Sequence, residues 1–237
     1  MSITQIQDDN LDNIEPTLDL ISVLVIMLAA MVGAFAAVVI LPAWLPGLAK
    51  SLLGNEPRAY WYLARTAGVV AYFLLWFSVA MGINITNKLS RIWPGGPTAV
   101  DLHQFTSLLA LSVTLFHVLI LLGDRYANYT MSQLLIPFAS GKYQPFWVGL
   151  GQLAFYIMLP VTFSFYARKH IGYKVWRMIH YFSFGIYLLV TLHGIFSGTD
   201  TTSPGMLGLY GLTLVSIYFL TIFRVLVSIK QPRAKIV

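Results

Sequence analysis

The chain has 237 residues, of which 57% are hydrophobic and only 10% charged, with a formal net charge of +6. A soluble domain carries about 25% charged residues, so charge has been withdrawn from long runs, as in a polytopic membrane protein. Cysteine is absent, which excludes disulfides, thiolate-held zinc or iron–sulfur centres and covalent haem attachment through C-x-x-C-H.

The first twenty residues contain Asp8, Asp9, Asp12, Glu15 and Asp19 and no basic n-region. They are expected to form an acidic cytoplasmic tail over 1–20 rather than a signal peptide. Six apolar runs follow, at 21–43, 60–83, 98–122, 146–167, 175–196 and 206–227. Each has about the twenty residues that a helix needs to cross the hydrocarbon core, where backbone groups must be satisfied internally. The segments PAWLPG, WPGGP and SGTDTTSPG separate them. The expectation is an all-α, six-transmembrane-helix bundle over 21–230, with a short basic tail at 231–237. Placing both termini in the cytoplasm leaves Lys88, Arg91, Arg168, Lys169, Lys174, Arg177, Lys230, Arg233 and Lys235 inside. It leaves mainly Lys50, Arg58, Arg125 and Lys142 outside, in accord with the positive-inside bias. The net positive charge is thus read as topology, with no nucleic-acid partner.

The third run, DLHQFTSLLALSVTLFH, carries His103 and His117 fourteen residues apart. The fifth, WRMIHYFSFGIYLLVTLHG, carries His180 and His193 thirteen apart. The two spans run parallel, so His103 and His180 share a depth near the inner end, and His117 and His193 share one near the outer end. Fourteen residues are close to four turns, about 21 Å. One such histidine could simply hydrogen-bond a neighbouring helix. Four at two depths point instead to two stacked bis-imidazole sites suited to non-covalent b-type haem. Zinc or copper fits less well, since no carboxylate or thiolate accompanies the imidazoles. Thirteen residues do not close whole turns, so a π-bulge or kink is expected between His180 and His193, with Gly185 as its candidate position, or else rotated haem planes. His170, in ARKHIGYK, reads as a solvated loop residue.

The pieces RTAGVVAYFLLWFSVAMGI, LHQFTSLLAL with the following FH, RKHIGYKVWRMIHYFSF and HGIFSGTDT resemble the ferric-reductase-like transmembrane family, which includes NADPH oxidases and metalloreductases. The resemblance spans 60–227. It implies a stand-alone haem domain that carries electrons from a cytoplasmic flavoprotein to an acceptor outside. His103 and His180 would hold the inner haem, and His117 and His193 the outer one. Arg65 of RTAG would lie near the outer haem edge, pairing with a propionate or polarising an acceptor; as a bare residue it also reads as a snorkelling arginine. Lys174 and Arg177 could serve the inner propionates or act only as anchors.

Two features depart from the family. Leu121 stands where oxygen-reducing members carry a further histidine, which counts against superoxide production. No G-x-G-x-x-G unit follows the sixth span, so a separate reductase or other donor is the expected partner. The expected location is a bacterial plasma membrane. Competing readings are a cytochrome b anchor subunit exchanging electrons with quinone, a haem-binding assembly protein, and a single-haem subunit of methionine-sulfoxide repair, which would leave two histidines idle. Ferric chelates, oxygen, quinone and a partner protein are the candidate acceptors.

Overall fold

The computed structural model describes residues 15–44, 59–124, 128–141 and 143–230, and among these every regular element is helical. In chain order they are α1 (Leu20–Trp44), α2 (Ala59–Thr86), α3 (Gly96–Ile120), α4 (Met131–Leu135), α5 (Pro145–Ile171), α6 (Tyr173–His180), α7 (Phe182–Ser197) and α8 (Pro204–Lys230). Three-residue 3-10 turns lie at Leu89–Arg91 and Leu121–Gly123. Helices α1, α2, α3, α5 and α8 each supply one membrane span, and α6 with α7 forms the sixth. The chain is an all-α integral membrane protein. Lys50, Arg58, Arg125, Lys142, Arg233 and Lys235, together with 1–14 and the tail at 231–237, lie outside the described residues.

The helices outrun their apolar runs by up to a turn for a local reason. Pro145 and Pro204 open α5 and α8, and Pro97 lies in the first turn of α3. There proline's missing N–H costs no hydrogen bond and its fixed φ suits the helix. At its other end α5 stops at Gly172, whose φ of 81° is one that a side chain disfavours. This turn sends the chain straight into α6. His170 therefore sits in the last turn of α5 rather than in a loop, and it is exposed there.

Packing in lipid depends on close backbone approach and interhelical polar contacts, because the tails are as apolar as the side chains. Helices α2 and α3 meet through small residues. Ala64, Ala67, Ala71 and Ala80 on one, and Ala99 and Ala110 on the other, are all buried. Tyr72, Leu75, Leu111, Met158, Ile186, Tyr187 and Tyr210 build the central core. Two bonds tie α8 to α2: Tyr72 Oη lies 2.6 Å from Thr213 Oγ1, and Trp76 Nε1 donates to Ser216 Oγ at 2.8 Å. Such bonds contribute about 0.6–2 kcal/mol each in a membrane. Helix α1 is peripheral, with Ile21, Leu28, Val32 and Phe35 facing outward, as lipid-contacting side chains do. The last residues of the acidic tail pack on the start of α3, where Thr17 N–H donates to Gln104 Oε1 at 2.9 Å.

Two side chains of α5 hold the short helix α4 against it: Tyr156 Oη donates to Leu135 O at 2.5 Å, and Gln152 bonds through both ends of its amide. Gln152 Nε2 donates to Gln133 O (2.7 Å) and Leu134 O (2.9 Å), while its Oε1 accepts from Phe138 N–H (3.1 Å). The 131–138 segment thereby becomes a wall at the His117 end of the bundle.

Candidate functional site: two imidazole pairs

The fold brings the four intramembrane histidines together in pairs. His103 on α3 faces His180 at the end of α6, with ring centroids 5.9 Å apart and planes at 74°. His117 on α3 faces His193 on α7 at 6.4 Å and 74°. An imidazole nitrogen binds a transition metal at about 2.0–2.1 Å, so two rings sharing one metal have centroids roughly 6 Å apart. Both pairs have that spacing. Among the described residues no cluster of three or more His, Cys, Asp or Glu is assembled for a metal ion. Each pair therefore offers two nitrogen donors, which suits a metal whose remaining positions are filled by a macrocycle.

Three of the four rings are oriented by backbone carbonyls. His103 Nδ1 is 2.8 Å from Ser78 O, His117 Nδ1 is 2.6 Å from Ala64 O, and His193 Nδ1 is 3.0 Å from Trp147 O. A carbonyl can only accept, so each Nδ1 carries the proton and the neutral ring keeps its lone pair at Nε2. This arrangement fixes tautomer and ring plane, as outer partners do for metal-binding histidines generally.

The helices make room for these bonds in one repeated way. Ala64, Ser78 and Trp147 are each followed four residues later by a glycine: Gly68, Gly82 and Gly151. The carbonyl of residue i already accepts the N–H of residue i+4 in a helix. A second donor must reach that oxygen across the surface of residue i+4, and only glycine leaves the way clear. A Cβ at Gly68 would lie 3.0 Å from the His117 ring, one at Gly82 3.2 Å from His103, and one at Gly151 2.8 Å from His193. Ser78 adds its hydroxyl, 3.1 Å from His103 Nδ1 and 2.5 Å from Ser107 Oγ.

His180 is different. Its Nδ1 has no carbonyl acceptor among the described residues, and the ring stacks on Trp176, with centroids 5.3 Å apart and planes at 29°.

An irregularity does lie between His180 and His193, but at Tyr181, not at Gly185. Tyr181 separates α6 from α7; its N–H reaches Arg177 O at 3.1 Å, and Phe184 N–H reaches back only three residues, to Tyr181 O at 3.3 Å. A 3-10 turn advances the chain by more rotation per residue than an α-turn. It thus supplies part of the rotation that thirteen residues leave missing. Gly185 lies within regular helix, and nothing stands within 4 Å of where its Cβ would be.

A cavity of about 430 Å³ lies beside His117 and His193, walled by Trp61, Leu134, Tyr143, Phe155 and Tyr210. Leu121 lines it too. Arg65 borders this cavity one residue after Ala64, and its guanidinium pairs with Asp200 in the α7–α8 connection, over the Tyr62 ring at 5.5 Å. Sequence reasoning did not find that carboxylate. Tyr129 is another wall residue. Burial pushes its phenol above the ordinary range, a hydrogen bond from Ser140 opposes the rise, and nearby Asp124 adds to it. Tyr129 therefore stays neutral well into alkaline pH.

At the other end of the bundle, Lys169, Lys174 and Arg177 are exposed. Arg168 is not part of that basic face. It is 6% exposed, lies 3.9 Å over the Phe165 ring and donates to Phe165 O at 2.8 Å.

Residues 67–191 match the family described as the ferric reductase like transmembrane component. The chain belongs to the ferric-reductase-like transmembrane family. The matched segment contains His103, His117 and His180; Arg65 and His193 fall just outside it. Domains of this family generally bind haem and serve transmembrane redox chemistry. No curated protein and no solved structure gives a match.

Proposed function

We propose that this protein is a transmembrane b-type cytochrome with two haems, one held by His103 and His180 near the cytoplasmic side, the other by His117 and His193 near the outside. One observation carries the reading. Two imidazole pairs stand at metal-sharing distance, and in three of the four rings Nδ1 is engaged by a carbonyl, so that Nε2 is left as the donor. Haem supplies one-electron redox chemistry when bound.

The chain's own residues perform the rest. The carbonyls of Ser78, Ala64 and Trp147 keep the proton of their imidazoles at Nδ1 and fix the ring planes, and the three glycines let the rings approach. The largely apolar walls of the cavity beside His117 and His193 offer an apolar slot to a cofactor. Arg65 provides a positive charge at that cavity for a cofactor carboxylate or an acceptor, and Asp200 competes for it. With both termini cytoplasmic, Lys169, Lys174 and Arg177 form a basic face on which a separate flavoprotein donor docks.

The test is a reduced-minus-oxidised spectrum with haem quantification on the purified chain. Two acid-acetone-extractable haems per chain, both low-spin, are expected. One haem, or covalently retained haem, overturns the reading. NADH or NADPH alone should leave the haems oxidised, with reduction only after a flavoprotein reductase is added. A haem-binding assembly protein would instead release haem readily, and a quinone-exchanging subunit would reoxidise rapidly with added quinone.

A further inference from the structure

The His103–His180 site lacks the fourth carbonyl bond, and what stands in its place has an unused donor. Trp176 lies one turn before His180 on α6, stacked on it at 5.3 Å and 29°. Phe165 and Tyr173 pack on the same indole, at 6.2 and 5.4 Å. Its Nε1 is buried and has no hydrogen-bond partner among the described residues. A buried N–H without an acceptor is costly and rare, and it calls for a partner. An imidazole that ligates a macrocycle axially stands perpendicular to the macrocycle plane. An indole nearly parallel to that imidazole also stands on edge, and the N–H of an indole is on its edge.

We propose that Trp176 is the positioning residue of the His103–His180 site. Its face sets the plane of His180 in place of a carbonyl bond, and its Nε1–H donates to a carboxylate on the rim of the macrocycle bound there. The chemical class of the acceptor follows from the donor and its surroundings. The indole N–H can only donate, and Lys174 and Arg177 flank it in sequence, so an anion is favoured at this end of the bundle. The inference rests on the two-haem reading above.

The experiment compares native Trp176 with Trp176→Phe and Trp176→Leu in the His117→Ala background, which isolates the first haem, and again in the full chain, where the second haem is the internal control. Three measurements are made: haem transfer to apomyoglobin, the midpoint potential, and the low-temperature electron paramagnetic resonance spectrum. Phenylalanine keeps the stack and removes the donor. Haem should leave the first site about tenfold faster, the worth of a hydrogen bond to a charged group, and its potential should shift while the ligand-plane signature persists. Leucine should also alter the low-spin g-values of the first haem. The second haem should be untouched in both.

A Trp176→Phe chain that matches native at the first site overturns the proposal. So does one that disturbs both sites equally, since that is damage to the fold. A native chain that holds no haem fails the two-haem reading before any variant is made. A native chain with two haems and a silent Trp176→Phe fails this inference alone.

Discussion

The two histidine pairs use the same chemistry but are supported differently. At the His117–His193 end both imidazoles donate to carbonyls and both rings lie against glycines. At the His103–His180 end only His103 has that support, and His180 rests on an indole. The first arrangement fixes a ring by direction; the second fixes it by area. A hydrogen bond holds both tautomer and plane, whereas a stack restrains the plane and leaves the tautomer to whatever binds Nε2. The proposed outer site is thus the more preorganised, and the proposed inner site the more responsive to what occupies it.

The sharpest way to break this comparison is to remove one ligand. His117→Ala should halve haem content, from two per chain to one, and leave the potential of the remaining haem largely unchanged. Loss of both haems on quantification would show that the sites do not stand independently. A smaller effect separates the glycines. Gly151→Ala puts a Cβ 2.8 Å from the His193 ring, while Gly82→Ala puts one 3.2 Å from His103. Overpacking costs about 1–3 kcal/mol where neighbours cannot yield. Gly151→Ala should therefore deplete the second haem several-fold, and Gly82→Ala should cost less, as read by haem content and thermal unfolding. The reverse order would mean that the His193 ring yields to an added methyl more readily than the His103 ring.

The basic face should produce a several-fold effect at one site only. Lys169→Glu with Lys174→Glu should slow reduction of the first haem by an added reductase at low ionic strength. The difference should close at high salt, where screening lengths fall to about 3 Å. A salt-independent rate assigns these lysines to topology alone. The smallest expected change is at the mouth of the second site. Arg65→Gln should lower the potential of the second haem and Asp200→Asn should raise it, each by roughly 60 mV or less, a tenfold equilibrium change for one electron. Stability should move by no more than about 1 kcal/mol, because the pair is partly exposed. Shifts of the same sign in a potentiometric titration would remove the pair from the site.

The spans and the pairing of the histidines were legible in the sequence because length and periodicity carry them. Hydrocarbon thickness sets the run length, and parallel spans bring equal depths together. Contacts made by atoms that the residue type does not reveal were not legible. Ala64, Ser78 and Trp147 act through carbonyls that every residue has, so only their glycines could have signalled them. Gly68 and Gly82 are fourteen residues apart, as are His103 and His117, and that coincidence was the available cue. Gly185 suggested a helix break because of its flexibility, yet the break sits at Tyr181, directly after His180, where the short α6 ends and α7 begins. Arg168 read as one more surface cation, but an aromatic ring and a carbonyl one turn away draw it inside. Asp200 was in plain sight in SGTDT, but nothing in the span pattern says which way a connecting loop folds.

The fourteen-residue echo between α2 and α3 has a mechanical consequence. The two helices are antiparallel neighbours, pinned at Ala64–His117 and again at Ser78–His103. They behave like two rules clamped at two graduations, about 21 Å apart on each. Any axial slip that eased one clamp would strain the other in the same sense, so the pair cannot slide. The spacing between the two imidazole levels is then a length held by the α2–α3 pair itself, and a single residue inserted between Gly68 and Gly82 would leave one level in register and throw the other out.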